Sequence, residues 1–302
     1  MAAQGEGGAF RSGFVAIVGR PNVGKSTLLN AVVGQKVTIV SDKPQTTRNK
    51  IQAVWTTAGA QIVFLDTPGM HKPQDKLGES MMRAAEDALG EIDAVLFVVD
   101  AAAGPGPGDR KVAERLAGLS TPVVLAVNKV DLLKGHERQG RIAHFEELGS
   151  FRAVRAISAV TGEGLAELLE LLVGLLPEGP KYYPDDWVSD HPERFIVAEL
   201  IREKVLELTY DEVPHAVAVA VERMEPREGK DLVAIEATIY VERDSQKGIL
   251  IGKEGARLRE IGTRARQEME ALLGSKIFLK LWVKVSPKWR ERESVLRSLG
   301  YR

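Results

Sequence analysis

The sequence predicts an α/β domain with a mostly parallel sheet and helices on both faces, followed by a smaller α+β domain. From Phe14 to Leu176, short apolar runs alternate with amphipathic stretches, which is the pattern of βαβ units. From Glu193 onward the order becomes helix, two strands, two helices and a strand. The prolines and the glycine between Pro177 and Pro184 interrupt both patterns and are expected to stiffen the connection between the domains.

These patterns divide the chain into four segments. We expect a flexible tail over 1–13, the larger domain over 14–176, a linker over 177–192, and the smaller domain with a basic tail over 193–302. The strands predicted in the larger domain are Phe14–Val18, Lys36–Val40, Ile51–Thr57, Gln61–Asp66, Ala94–Asp100, Pro122–Asn128 and Ala153–Ile157. The elements predicted in the smaller domain are the helix Glu193–Thr209, the strands Ala216–Arg223 and Leu232–Val241, a long helix to Leu273 and the strand Lys276–Val285.

Composition restricts the class of protein. The 302 residues suffice for two domains, and the 44% hydrophobic content is ordinary for a globular protein. No apolar run approaches the roughly 18 residues of a membrane-spanning helix, and Met1–Gly13 lacks the apolar core expected of a signal peptide. The sequence has no cysteine, which excludes disulfides, thiol catalysis and cysteine-bound metals and favours a cytoplasmic protein.

A glycine-rich loop joins the first predicted strand to the first predicted helix. It reads GxxxxGKS, and this strand–loop–helix setting is typical of a phosphate-binding P-loop. The glycines let backbone N–H groups curve around phosphates, and the helix N-terminus adds partial positive charge. Lys25 is expected to reach the β- and γ-phosphates, and the Ser26 hydroxyl is expected to bind Mg²⁺. The predicted nucleotide-binding residues of this loop are Gly19, Arg20, Pro21, Asn22, Val23, Gly24, Lys25, Ser26 and Thr27.

A second motif specifies the base. The sequence NKVD, typical of GTPases, begins at Asn128 after an apolar run. The Asp131 carboxylate can accept hydrogen bonds from N1–H and the exocyclic amine of guanine, an arrangement that adenine lacks, so it discriminates strongly. Asn128 is expected to contact the other edge of the base, and the Lys129 stem to cover the ring. Ser158 and Ala159 follow the last predicted strand of this domain, and their backbone is expected to contact the guanine oxygen.

A third motif, DTPG, concerns the γ-phosphate and its metal. It ends the predicted strand Gln61–Asp66. Asp66 is expected to hold Mg²⁺ through water, and the Gly69 N–H to sense the γ-phosphate. Thr67 and Pro68 lie between them and complete this part of the predicted nucleotide site.

A fourth segment, between Val40 and Ile51, contains two adjacent threonines. One of them should bind Mg²⁺ when GTP is present and release it after hydrolysis. We favour Thr47, because it directly precedes an arginine as in related GTPases with a TTR pattern. Thr46 stays open as the alternative.

Charge is distributed unevenly along the second domain. Residues 245–302 contain 14 Lys and Arg against 6 Asp and Glu, whereas residues 185–244 contain 7 against 16. This concentration of positive charge indicates a face that binds a polyanion. A solvated basic helix balanced by the acidic half is the alternative. The tail after Pro287 either extends this face or packs on the domain.

The turn IGKEG between two predicted helices, with a basic helix behind it, resembles the GxxG loop of type II KH domains. The element order matches that family, in which the loop clamps a single-stranded nucleic-acid backbone. Lys253 adds charge there, and the helix after Gly255 adds its dipole. The residues expected to bind RNA are Ile251, Gly252, Lys253, Glu254, Gly255, Arg257 and Arg259.

Together the two modules resemble the Era family of GTPases over nearly the whole chain. The segments GRPNVGKSTLLN, KPQTTR, DTPG, NKVD, SA and IGKEG carry the resemblance. It implies a GTPase, with Mg²⁺ as cofactor and GTP and GDP as substrate and product, that binds the 3′ end of 16S ribosomal RNA and promotes 30S subunit maturation. It also implies a cytoplasmic protein associated peripherally with the inner membrane, and we expect a monomer.

Two details refine the expected catalysis. Ras-like enzymes carry a glutamine after the DxxG glycine, whereas this chain has Met70, so the attacking water must be positioned otherwise. Asn22 matches an asparagine that helps related enzymes bind K⁺, an ion that could stabilise charge as an arginine finger does. We expect slow intrinsic hydrolysis stimulated by K⁺, and capping of the loop by Asn22 is the alternative. The candidate catalytic residues are Asn22, Lys25, Thr47 and Gly69.

Two other functions fit parts of the sequence. GTPases of tRNA modification or membrane transport share the TTR and PNVGKS signatures, but they carry other flanking domains or membrane spans. An RNA-binding adaptor could hold nucleotide only as a structural ligand. The intact P-loop, the DTPG motif and the adjacent threonines argue against the adaptor.

Overall fold

The structure is a computed structural model in which the chain forms two units. The first unit comprises 1–37, 50–70 and 85–190, and the second comprises 38–49, 71–84 and 191–302. No helix of the described residues is long and apolar enough to cross a bilayer. The described residues are 9–41, 43, 46, 48–49, 51–66, 75–87 (side chains to 81 only), 92–189, 192–227, 229 and 231–301.

The first unit is built on a six-stranded sheet. Its elements in chain order are β1 (Arg11–Val18), α1 (Lys25–Val33), β2 (Ile51–Thr56), β3 (Ala60–Asp66), α2 (Lys76–Asp87, most of which belongs to the second unit), β4 (Ala94–Asp100), α3 (Pro107–Leu116), β5 (Val123–Asn128), α4 (Gly135–Glu146), β6 (Ala153–Ala156) and α5 (Leu165–Leu175). The strand order is β2-β3-β1-β4-β5-β6, and all neighbours run parallel except the antiparallel pair β2 and β3. Strands β4 and β5 are buried along their whole length, as strands covered on both faces must be. The predicted α/β class is confirmed.

The strand predicted over Lys36–Val40 is wrong, because this segment pairs with side chains rather than with a strand. The Val37 N–H donates to Asn30 Oδ1 at 3.0 Å. Within the second unit, the Val40 N–H donates to Glu203 Oε1 at 2.8 Å. Backbone groups that are satisfied in this way do not need a ladder partner.

The second unit contains a three-stranded sheet in the order β7-β8-β9, antiparallel between β7 and β8 and parallel between β8 and β9. Its elements are α6 (Glu193–Leu208), α7 (Val213–Ala216), β7 (Ala218–Pro226), β8 (Leu232–Val241), α8 (Asp244–Ile251), α9 (Ala256–Leu273), β9 (Lys276–Val285) and α10 (Glu293–Ser298). Strand β7 begins two residues later than predicted because α7 precedes it. Apolar residues of α6 and α9 pack on the sheet and form the core. The predicted α+β class of this part of the chain is also confirmed.

The tail after Pro287 packs within the second unit. Trp289 is fully buried, and its Nε1 donates to the Ala216 carbonyl at 2.8 Å. Trp289 and Tyr301 also flank Arg48, whose Cζ lies 5.8 and 5.9 Å from their ring centroids. An apolar cluster joins α2 to the tail through Leu77, Met81, Ala218, Trp289, Leu296 and Tyr301.

Candidate functional site

The residues of the nucleotide motifs lie at the carboxyl ends of parallel strands of the six-stranded sheet. The loop over 19–24 follows β1, Asp66 ends β3, and Asn128 ends β5. Strands β1 and β3 place Ile17 opposite Asp66, and β4 and β5 place Asp100 opposite Asn128. Open α/β sheets bind ligands at the carboxyl ends of their parallel strands. The sheet topology therefore brings these motifs to the edge where a ligand is expected.

The backbone of Gly24 and the side chain of Asn128 fit tightly together. Gly24 has φ +97°, which side-chain-bearing residues rarely adopt, and a Cβ there would overlap Asn128 Nδ2. Nδ2 donates to the Val23 carbonyl at 2.9 Å, and Oδ1 accepts from the Ala159 N–H at 3.0 Å. This buried amide connects the glycine-rich loop to the segment after β6. The Ala159 N–H, expected on the guanine oxygen, has Asn128 as its acceptor in the structure.

Lys25, the lysine of the first motif, is buried at the start of α1. Its Nζ donates to the carbonyls of Gly19 and Arg20, both at 3.0 Å, so the ammonium lies inside the loop. Burial lowers the pKa of this ammonium below its ordinary value, and the Asp66 carboxylate opposes the shift. A cation held here complements an anionic phosphate chain.

Two oxygen donors suited to Mg²⁺ adjoin the loop. Ser26 lies in the first turn of α1, and Asp66 is fully buried at the end of β3. Hydroxyl and carboxylate oxygens are the ligands that this small, hard cation prefers. The donor set therefore fits Mg²⁺. The other predicted residues of the metal and γ-phosphate site, Thr47, Thr67, Pro68 and Gly69, lie outside the described residues, as does Met70.

Lys129 bridges two parts of the site. Its Nζ donates to the Asn22 carbonyl and to Asp100 Oδ2, both at 2.7 Å. Asp131 is exposed in the short 3₁₀ turn Val130–Leu132, where its carboxylate is accessible to a base. Asp100 was not predicted from the sequence, although a carboxylate at the end of a long apolar run was the available signal.

A second missed carboxylate holds Arg20. The Arg20 Nε donates to Asp109 Oδ2 at 3.1 Å, and this carboxylate also accepts the Gly106 N–H at 2.9 Å. Asp109 is fully buried at the start of α3. An acidic residue shortly after Gly106 and Pro107, in the first turn of a predicted helix, was the signal that could have located it.

Thr46, the alternative magnesium ligand, is held by hydrogen bonds within the second unit. Its Oγ1 donates to the Lys43 carbonyl at 2.6 Å. Its own carbonyl accepts a hydrogen bond from the guanidinium of Arg202 on α6.

The GxxG loop connects α8 to α9 in a conformation that requires its first glycine. Gly252 has φ +71°, and a Cβ there would lie 2.9 Å from Arg257 Cβ and 3.1 Å from its backbone nitrogen. Lys253 and Glu254 are exposed at the tip of the loop. Arg257 turns back toward α8, because its Nη1 donates to the Ile249 carbonyl at 2.9 Å.

A groove of about 370 Å³ adjoins this loop, between α9 and β9. Of the residues predicted to bind RNA, Gly255 and Arg259 line it, whereas Ile251, Gly252, Lys253, Glu254 and Arg257 do not. The remaining lining residues were not predicted from the sequence, and they are Leu258, Gly262, Thr263, Arg266, Leu279 and Leu281. Those on α9 recur every three or four residues from Gly255, so helical periodicity was the signal for a shared side of the helix.

Comparisons with known proteins cover both modules. Residues 14–129 match the family described as "50S ribosome-binding GTPase", and residues 212–290 match the family described as "KH domain". The GTPase Era of Alkaliphilus oremlandii is 54% identical over 292 residues, which are 97% of this chain and 99% of that protein.

Two crystal structures are each 41% identical, with a TM-score of 0.92, and cover 97% of this chain and 99% of their own. One is a variant of Aquifex aeolicus Era bound to GDP and AlF₄⁻, and the other is Era in complex with MgGDPNP and nucleotides 1506–1542 of 16S ribosomal RNA. Since these likenesses extend over nearly the whole chain and both of its modules, the chain belongs to the Era family of GTPases.

Proposed function

We propose that this GTPase is a molecular switch that binds the 3′ end of 16S ribosomal RNA through its KH domain and promotes maturation of the 30S subunit. The observation that carries the proposal is that one chain contains both the GTPase motif residues at the ends of parallel strands and a groove beside a GxxG loop. The structure of a relative with the 3′-terminal nucleotides of 16S ribosomal RNA supports the choice of RNA.

The nucleotide site would act through charge and positioning. Lys25 would move its ammonium from the loop carbonyls to the β- and γ-phosphates, and the Gly69 N–H would contact the γ-phosphate. Ser26, Asp66 and Thr47 would hold Mg²⁺, which when bound neutralises charge on the β- and γ-phosphates. Preorganised charge of this kind is commonly a large contribution to catalysis.

The base would be read by Asp131, whose exposed carboxylate can accept both guanine donors. Lys129 would cover the ring with its stem, since its ammonium is fixed by the Asn22 carbonyl and Asp100. Asn128 would hold the loop and the segment after β6 together, because its side chain donates to the Val23 carbonyl and accepts from the Ala159 N–H.

The groove beside the GxxG loop would hold unpaired nucleotides. Apolar Leu258, Leu279 and Leu281 offer surface for bases, while Arg259 and Arg266 offer charge and hydrogen-bond donors. The backbone at Gly252 and Gly255 allows close approach of the sugar-phosphate chain.

The test measures binding of a labelled oligonucleotide from the 3′ end of small-subunit ribosomal RNA, with a non-hydrolysable GTP analogue, with GDP and with neither. Salt is held fixed, because phosphate contacts make affinity depend on it. We expect the tightest binding with the GTP analogue. RNA binding that does not depend on the nucleotide would contradict the proposed switch. Absence of specific binding to this RNA would favour a function in tRNA modification or as an adaptor.

Two neighbouring arginines provide a matched pair for the same assay. Arg259→Gln should weaken RNA binding, because this side chain lines the groove. Arg257→Gln should have the smaller effect, because that guanidinium is held by the Ile249 carbonyl. Equal effects would contradict the placement of RNA in the groove.

We further propose that K⁺ stimulates slow intrinsic hydrolysis through Asn22. Initial rates in KCl and NaCl at equal ionic strength should differ, and equal rates would contradict the proposal. Asn22 has φ +67°, so Asn22→Gly keeps the backbone conformation while it removes the side chain. This variant should lose the difference between the salts, whereas a loss of nucleotide affinity would indicate that Asn22 only caps the loop.

Family membership supports a cytoplasmic monomer that associates peripherally with the inner membrane. Sedimentation of cell fractions, with and without a salt wash, tests the location. Release by salt is expected, and retention through the wash would contradict peripheral association.

A further inference from the structure

The outer face of the KH sheet carries exposed aromatic and basic side chains on one strand. Along β9, Ile277 and Val283 are buried, whereas Phe278 and Trp282 are 42% and 41% exposed. Lysines occupy the other outward positions of the strand. We name this set the β9 outer strip, and its members are Lys276, Phe278, Lys280, Trp282 and Lys284.

The strip is separate from the groove described above. Leu279 and Leu281, which line the groove, alternate with the strip residues and therefore point to the opposite face. Strand β9 is also the edge of its sheet. A chain lying in the groove could thus pass over this edge and reach Phe278 and Trp282.

The charges of the strip are available to a ligand. Lys280 Nζ lies 3.6 Å from Glu236 and Lys284 Nζ lies 3.8 Å from Glu222, and both lysine side chains are at least half exposed. Ion pairs this long and this exposed contribute little to stability, so the lysines can exchange them for phosphates. The guanidinium of Arg227 lies 5.0 Å from the Phe278 ring centroid and adds a further cation.

We propose that the β9 outer strip is a second RNA-contact surface, on which unpaired nucleotides outside the groove stack on Phe278 and Trp282. The inference rests on the proposed RNA-binding function. Aromatic faces accept any base, and the interleaved lysines neutralise the backbone, which is the general mode of single-strand binding. The two rings are four residues apart, about 13 Å along a strand, with Lys280 midway between them.

The pattern favours RNA over a protein partner. The cores of protein interfaces are depleted of charged residues, lysine in particular. Here a lysine stands at every second outward position, so the two aromatic rings do not form a continuous apolar patch.

The experiment compares two RNAs on the full chain. One is a single strand of about four nucleotides, the length that a KH groove holds, and the other adds unpaired nucleotides at both ends. For the unaltered protein, the extension should raise affinity by about tenfold or more, since stacking of one base is an effect of that size. A paired extension should give a smaller gain.

The double variant Phe278→Thr, Trp282→Thr removes both rings and keeps residues that favour strands. It should bind the short RNA normally and lose the gain from the extension. Tyr210→Thr, at an aromatic side chain that is 68% exposed and lies outside β9 in the sequence, is the matched control and should keep the gain.

Three results would overturn the inference. One is a gain that survives in the double variant, and another is the lack of any gain in the unaltered protein. The third is a change in oligomeric state on mutation, with RNA binding intact, which would assign the strip to self-association. Failure of the short RNA to bind would instead refute the proposed RNA-binding function and the inference with it.

Discussion

Replacing Gly24 with alanine should weaken nucleotide binding by about two to three orders of magnitude. Gly24 has φ +97°, and the new Cβ would overlap Nδ2 of Asn128. We expect the nucleotide-bound loop to keep this geometry and the free loop to relieve the strain by opening. The penalty should therefore appear in binding rather than only in stability.

The magnitude follows from two contributions. A residue with a Cβ in the left-handed backbone region costs about 1–2 kcal/mol. Displacement of the Asn128 amide also loses its hydrogen bonds to Val23 and from Ala159, each worth about 1 kcal/mol. The total is about 3–4 kcal/mol, and each factor of ten in affinity corresponds to about 1.4 kcal/mol.

Titration with a fluorescent GDP measures the effect, and Gly34→Ala is its control. Gly34 ends the same helix with φ +80°, but a Cβ there would meet no atom within 4 Å. This variant carries the backbone penalty at the other end of α1, outside the glycine-rich loop, and without a clash, so nucleotide affinity should stay unchanged. An affinity of Gly24→Ala within about threefold of the unaltered protein would refute the reasoning. An equal loss of nucleotide affinity in both variants would indicate that the substitutions act by destabilising α1 and not through the contact with Asn128.

Three further perturbations test other parts of the molecule. Asp131→Asn should lower GTP affinity by about a hundredfold and favour xanthosine triphosphate, because the asparagine amide donates a hydrogen bond where the carboxylate accepts one from guanine. A competition titration in which the variant still prefers GTP would contradict this. Arg48→Met should lower the free energy of local opening of β7 by about 1–3 kcal/mol, because the Val217 carbonyl loses the hydrogen bond that Arg48 Nη1 donates at 2.6 Å. Hydrogen exchange of the β7 amides measures this free energy, and unchanged exchange rates would contradict the prediction. Burial, and then the charges of Arg48, Arg290 and Lys43, lower the pKa of His215 below its ordinary 6.5. Because the unfolded chain binds the proton more readily, the stability contributed by His215 should be complete above about pH 6.5 and fall as pH decreases from there. Urea unfolding of His215→Gln should lack this dependence, and an identical slope would contradict it.

Local chemistry explains which parts of the site could be predicted from the sequence. The first motif needs a glycine at position 24 because of its backbone angle and its contact with Asn128, so the residue types themselves carry the information. Asp66 and Asn128 were found in the same way, since polar residues that end buried strands stand where a parallel sheet binds ligands.

Long-range partners explain what could not be predicted. The apolar run Lys36–Val40 resembles a strand, but its backbone donates to the side chains of Asn30 and Glu203, of which the second lies 163 residues away. The groove residues of α9 were missed for a related reason. Helical periodicity shows that Gly262 shares one side of α9 with the other lining residues. It does not show that this side borders a groove, because the groove also depends on Leu281 of the packed sheet.

The residues on both sides of Thr47 are anchored within the second unit. The Thr46 carbonyl accepts from Arg202 of α6, and Arg48 donates to Val217, directly before β7. Consecutive Cα atoms are about 3.8 Å apart, so if Thr47 moves on GTP binding, as proposed, it must either carry these neighbours along or break their hydrogen bonds. Helix α6 and strand β7 contribute side chains to the core that supports the groove beside the GxxG loop. If Thr47 binds Mg²⁺ as proposed, these three consecutive residues would provide a covalent route by which nucleotide state alters RNA affinity.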